Sequence, residues 1–125
     1  MDNNLNTLKQ FYQNLGKLFY AITMSDGVIE PLEIETLKEI ITKNWNNDAT
    51  FILESFNWLN EDNEYNAERC FNSFLDYKIH NSNLFTDDIK QKTTATAIAI
   101  ASSFSKTNKS ELMMLAKLDI EFKKD

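Results

Sequence analysis

Apolar residues in the first segment recur at spacings of three and four: Leu5, Leu8, Phe11, Tyr12, Leu15, Leu18, Phe19 and Ile22. That periodicity draws one stripe along a long helix, predicted to close near Asp26-Gly27. Pro31 suits a first helical position. Glu30 then falls at the cap and Glu33 at the third position, and Ile29 and Ile34 are placed to pack across the helix start. Leu37, Ile40 and Ile41 continue this second buried face to about Lys43. A third helix is predicted from Asn47 or Asp48, carrying Phe51, Ile52, Ser55, Phe56 and Leu59, with Trp45 and Trp58 at its margins; core packing explains most of its aromatic residues. A fourth, from about Glu64 to His80, presents Tyr65, Cys70, Phe71, Phe74, Leu75 and Ile79. Thr86-Asp87-Asp88 opens a fifth, whose small residues from Thr93 to Ser103 make it the expected central helix. The sixth starts at Asn108, with Glu111 in the capping-box position, and carries Leu112, Leu115, Leu118 and Ile120.

Composition supports this helical reading. Two Gly and one Pro in 125 residues leave little turn chemistry for many short strands. The expectation is an all-α fold, one compact bundle of about six helices forming a single domain over 1–125. A lone cysteine, Cys70, cannot close an internal disulfide, and no apolar run reaches the roughly 20 residues that span a bilayer. The N-terminal residues also lack the basic flank and apolar stretch of a signal peptide, so a cytoplasmic protein without direct membrane insertion is expected.

Charge narrows the function classes. Against a net charge of −6, residues 1–62 hold 4 basic and 10 acidic side chains, while residues 63–125 hold 9 of each. A polyanion is repelled by such a chain unless its cations gather on one face, so no nucleic-acid partner is expected. Catalytic chemistry is equally thin. Cys70 and His80, the only residues of their kinds, stand ten apart and read as a core thiol and a surface imidazole rather than a nucleophile and base. No Gly-rich phosphate loop and no Ser-His-Asp arrangement can be assembled.

Two candidate sites remain. Asp26, Glu30 and Glu33 offer carboxylates across a turn and a helix start, which suits a hard divalent cation such as calcium or magnesium. The spacing is not that of an EF-hand, because Val28 and Leu37 fall where oxygen donors are needed at the third and twelfth positions. The same residues are explained by a turn and a helix cap, and that simpler role is the one favoured. Separately, Trp58 and Tyr77 fall off the main stripes of their helices. They mark an aromatic partner-binding surface whose natural occupant is a partner helix or a second copy forming a homodimer.

The segments from Ala21 and Ala99 align without a gap at a separation of 78 residues, setting Glu33 over Glu111, Leu37 over Leu115 and Ile40 over Leu118. The first copy, Ala21 to Glu33, contains Asp26-Gly27, an aliphatic Ile29 and a Glu seven positions after the Asp. In this it resembles the tellurite-resistance TerB-like family. The resemblance implies an all-helical bundle, an acidic cluster suspected of holding metal, and a non-catalytic role in bacterial stress response or envelope-associated complexes. Carried over, the acidic positions are Asp26 and Glu33, with Glu111 as counterpart. The second copy departs from the motif, with Phe104-Ser105 in place of Asp-Gly. The reading is a non-enzymatic interaction module; the alternative is a metal-dependent hydrolase using Asp26 and Glu33.

Overall fold

A computed structural model describes residues 3–25, 29–62, 66–103 and 108–124, with side chains from residue 6 onward. The helices are α1 (Asn3–Thr23), α2 (Pro31–Trp45), α3 (Ala49–Asp62), α4 (Ala67–His80), α5 (Asp87–Ser103) and α6 (Lys109–Lys123). Short 3-10 turns at Asn46–Asp48 and Ser82–Leu84 link α2 to α3 and α4 to α5, and no strand occurs among the described residues. The predicted break before the third helix is therefore a tightened turn, followed by α3 one or two residues later than expected. Asp26 and Gly27, the expected close of the first helix, lie outside the described residues, as do Glu64 and Tyr65.

Several helix starts are capped by the side chains that the sequence places there. Asn66 accepts from the Arg69 N–H at 3.1 Å, Thr86 Oγ1 from the Ile89 N–H at 3.2 Å, and Asn108 Oδ1 from the Glu111 N–H at 2.8 Å. Each satisfies a backbone donor that the first turn leaves without an intrahelical partner. Asn108 also donates through Nδ2 to Ser25 Oγ at 3.1 Å, tying the start of α6 to the end of α1.

The centre of the structure is α1, not α5. It packs against α3, α4 and α5, and from Leu18 to Thr23 every residue is buried. The small residues of α5 do serve close approach, but on one side only: Thr93, Thr96, Ala97, Ile100 and Ala101 face inward while Ile98 is exposed. Trp45, expected at a margin, is a core residue. Its Nε1 donates to Thr96 Oγ1 at 3.0 Å, Thr96 Oγ1 donates on to the Lys92 carbonyl at 2.8 Å, and the Lys92 ammonium stands 4.9 Å over the indole. This pairing supplies the polar partner that a buried indole N–H requires.

The stripe on α6 is rotated from the predicted one. Leu118 is buried, but with Glu111, Met114, Glu121 and Phe122, whereas Leu112 and Ile120 are exposed. On α4 the inward row is Cys70, Phe71, Phe74 and Lys78, with Ile79 exposed. The two departures have one cause. Lys78 Nζ, buried against α6, donates to the Glu121 carbonyl at 3.0 Å, to Glu121 Oε2 at 3.2 Å and to the Lys124 carbonyl at 3.1 Å. Its three N–H donors thus meet three acceptors, two of them carbonyls at the end of α6, where the Glu121 carbonyl also accepts from the Lys124 N–H at 3.2 Å.

The 78-residue spacing survives in the caps, since Glu30 precedes α2 and Asn108 precedes α6. The packing does not follow it. Leu37, Ile41 and Trp45 are the buried residues of α2, and two of their counterparts, Asp119 and Lys123, are exposed.

Candidate functional site

α1 and α3 run in the same direction side by side: Tyr12 stacks on Phe51 at 5.8 Å, Gly16 abuts Ser55, and Tyr20 meets Phe56 edge-on at 5.8 Å. Glycine in mid-helix costs about 1 kcal/mol relative to alanine, and here proximity explains it. A Cβ at position 16 would lie 2.6 Å from Ser55 Cβ and 2.9 Å from the Ile52 carbonyl oxygen. Ser55 Oγ donates to the Gln13 carbonyl at 2.9 Å, fixing the two helices at this crossing.

Above the crossing lies a groove of about 510 Å³. One wall is the α1 row Lys9, Gln13 and Lys17, residues one turn apart; the other is the α3 row Phe51, Glu54 and Trp58. Trp58 is 58% exposed and Phe51 37%, so Phe51, expected in the core, is a wall residue. Half of the four basic residues in positions 1–62 line this groove, with only one of the ten acidic ones, Glu54. A cationic, aromatic strip is thereby cut into the acidic half of the chain. Lys17 is held toward α4, donating to Ser73 Oγ at 3.2 Å.

Tyr12 is not part of the groove lining and stacks on Phe51 from beside it. Burial, followed by the hydrogen bond to Asp48 and its negative charge, pushes the phenol up to about 12. Tyr77 stands elsewhere. It is half-buried on α4 and meets Phe85 edge-on at 6.2 Å, with burial raising its phenol. The structure therefore separates the two predicted aromatic contacts: Trp58 lines an open groove, and Tyr77 packs onto the core.

Of the predicted acidic trio, Glu33 has an assigned task. Its Oε1 accepts from the Glu30 backbone N–H at 2.7 Å, which is the back-reaching half of a capping box. The Glu30 carbonyl accepts from the N–H groups of Glu33 and Ile34, opening α2. Asp26 lies outside the described residues. Among the described residues no group of three or more His, Cys, Asp or Glu side chains is arranged to hold a metal ion. Glu111, the counterpart of Glu33 in the second segment, is a buried residue of α6.

Cys70 is buried at 4% exposure, and burial raises its thiol despite the opposing charge of Lys17. A thiol so placed stays protonated and packs as a small apolar group. His80 is exposed, with Nδ1 2.8 Å from the Asp76 carbonyl.

Sequence reasoning passed over Lys9, Lys17 and Lys78. The signal for the first two was present: a Lys-Gln-Lys row at four-residue spacing beside a mid-helix glycine. That for Lys78 was its place in the row Cys70, Phe71, Phe74, Lys78, one turn beyond Phe74. No protein-family model matches the chain, and neither the curated proteins nor the solved structures contain a match to it.

Proposed function

We propose that the protein is a non-catalytic interaction module of the TerB-like type, and that the α1/α3 groove is where it meets a protein partner. One observation carries the reading: a tryptophan 58% exposed on the rim of a groove whose opposite wall is Lys9 and Lys17. Exposed indoles beside cations are the side chains that dominate protein interfaces when desolvated. A segment with apolar side chains and carboxylates on one face complements both walls, laid along the two parallel helix rows.

The test is a photoreactive residue placed at position 58 and, as control, at the exposed Glu35 on α2, with cross-linked peptides sequenced from the native host. An acidic amphipathic segment captured from position 58 and not from position 35 supports the reading. The synthetic form of that segment should then bind the wild-type chain and shift Trp58 fluorescence, and Trp58→Ala should weaken binding by about 2 kcal/mol or more. Identical captures at both positions would sink it.

A further inference from the structure

The charges of α6 look balanced in sequence: Lys109, Lys117, Lys123 and Lys124 against Glu111, Asp119 and Glu121. Folding removes that balance. Glu111 and Glu121 are both buried, the second beneath Lys78, while the four lysines remain exposed. The one exposed acid, Asp119, is paired with Lys123 at 2.9 Å, and Lys124 reaches Glu121 Oε1 at 3.8 Å, which leaves Lys109 and Lys117 as the lysines of this face without a carboxylate of α6 beside them. Between the lysines, the side of the helix turned away from the core carries Leu112, Met113, Ala116 and Ile120, the three large ones 55%, 52% and 57% exposed. Leu112 and Ile120 stand eight positions apart, about 12 Å along the helix. On α5, Ile98 and Lys90 line a shallow depression shared with Asp119 and Lys123; on the opposite flank Glu68 of α4 lies near Met113 and Lys117.

We propose that this outer face of α6 docks on an anionic lipid surface, with its apolar side chains entering the headgroup boundary and its lysines at the phosphate level. Cationic flanks around bulky apolar side chains are what such a surface attracts, and long lysine stems reach the headgroups while the helix lies flat. The charge pattern argues against a second copy: an antiparallel pairing centred on Ala116 sets Lys109 against Lys123, and a parallel one sets each lysine against itself. The depressions that border α6 lie on its flanks toward α4 and α5, and neither is lined by Leu112 or Ile120, so a partner helix has no groove along these two side chains. The net charge of −6 makes the contact one-sided, since an anionic surface repels the acidic remainder of the chain. This surface is separate from the Trp58 groove, and neither reading depends on the other.

The test is cosedimentation with phosphatidylcholine vesicles, with and without phosphatidylserine, for the wild type, Leu112→Ser/Ile120→Ser and Lys109→Gln/Lys117→Gln/Lys123→Gln. All altered positions are exposed, and circular dichroism checks that both variants fold. The wild type is expected to sediment with the phosphatidylserine vesicles only and to be released by salt. Each variant should bind about tenfold or more weakly. An Ile120→Trp chain should shift its emission to the blue on the same vesicles. Failure of the wild type to sediment overturns the proposal, as does binding that both variants retain. A dimer in sedimentation equilibrium that Leu112→Ser/Ile120→Ser dissolves, without vesicle binding, would assign the face to a second copy. Retention on polyglutamate without vesicle binding would assign it to an acidic protein.

Discussion

α1 and α6 both carry aliphatic and aromatic residues at helical spacing, yet folding treats them in opposite ways. α1 buries its stripe from Phe11 onward and then closes over whatever follows, so that Tyr20, Ala21 and Thr23 are buried with Leu18, Phe19 and Ile22. α6 leaves Leu112, Met113 and Ile120 outside and takes Glu111 and Glu121 inside. The difference lies in the neighbours. α1 is surrounded by α3, α4 and α5, whereas α6 has α5 on one flank and α4 on the other, with a buried lysine on α4 to satisfy. An apolar stripe states that a face can be buried; the partner's side chains decide which face is.

The sharpest way to break the contrast is to remove the cation that turns α6. Lys78→Ala leaves the Glu121 carboxylate without its buried partner and the Lys124 carbonyl without the ammonium donor, and should cost about 3–5 kcal/mol in urea denaturation. A loss below 1 kcal/mol would mean that the clasp is not what orients α6. Next is the packing of α1. Gly16→Ala gains about 1 kcal/mol of helix propensity, yet should still destabilise by about 1–3 kcal/mol because its Cβ meets Ser55. Adding Ser55→Gly should recover part of that loss, leaving the clash with the Ile52 carbonyl.

A third effect is set by pH. Tyr12 on α1 is raised from 10.0 to about 12, so in the window between those values the unfolded chain has given up a proton that the folded chain keeps. Stability from this group is complete below pH 10 and is lost as the pH rises toward 12. Tyr12→Phe should flatten that part of the alkaline denaturation profile relative to the wild type. The smallest effect belongs to the outer face of α6. Leu112→Ser and Ile120→Ser should each change the melting free energy by no more than about 0.5 kcal/mol, because the folded chain leaves both side chains in solvent. A cost near 2 kcal/mol in either would place that face in the core and undo the contrast with α1.

The helices and their starts were legible in the sequence wherever short-range chemistry decides. Pro31, Thr86 and Asn108 mark the openings of α2, α5 and α6 because a cap is satisfied within three residues of itself. Cys70 in the core and His80 on the surface were likewise readable. The burial of Trp45 was not, since its hydrogen-bond partner Thr96 lies 51 residues away on α5. Phe51 was assigned to the core by spacing, and it became a wall of the groove because Tyr12 covers one side of its ring and leaves the other open. Trp58 was recognised as off-stripe, but the lysines opposite it belong to another helix. The groove existed in the sequence only as two unrelated rows.

Local periodicity, caps and the scarcity of Gly and Pro determined by themselves that this chain is helical and where most helices begin, because those features act within one or two turns. Which helix is central, which face of α6 is hidden and where cations gather on an acidic chain were decided by the tertiary structure. Each depends on residues 40 or more positions apart, such as Gln13 with Ser55 and Lys78 with Glu121, meeting across a helix interface. Burial then acts on charge as well as on oil: by withdrawing two glutamates from α6, it leaves a surface whose sign the sequence did not announce.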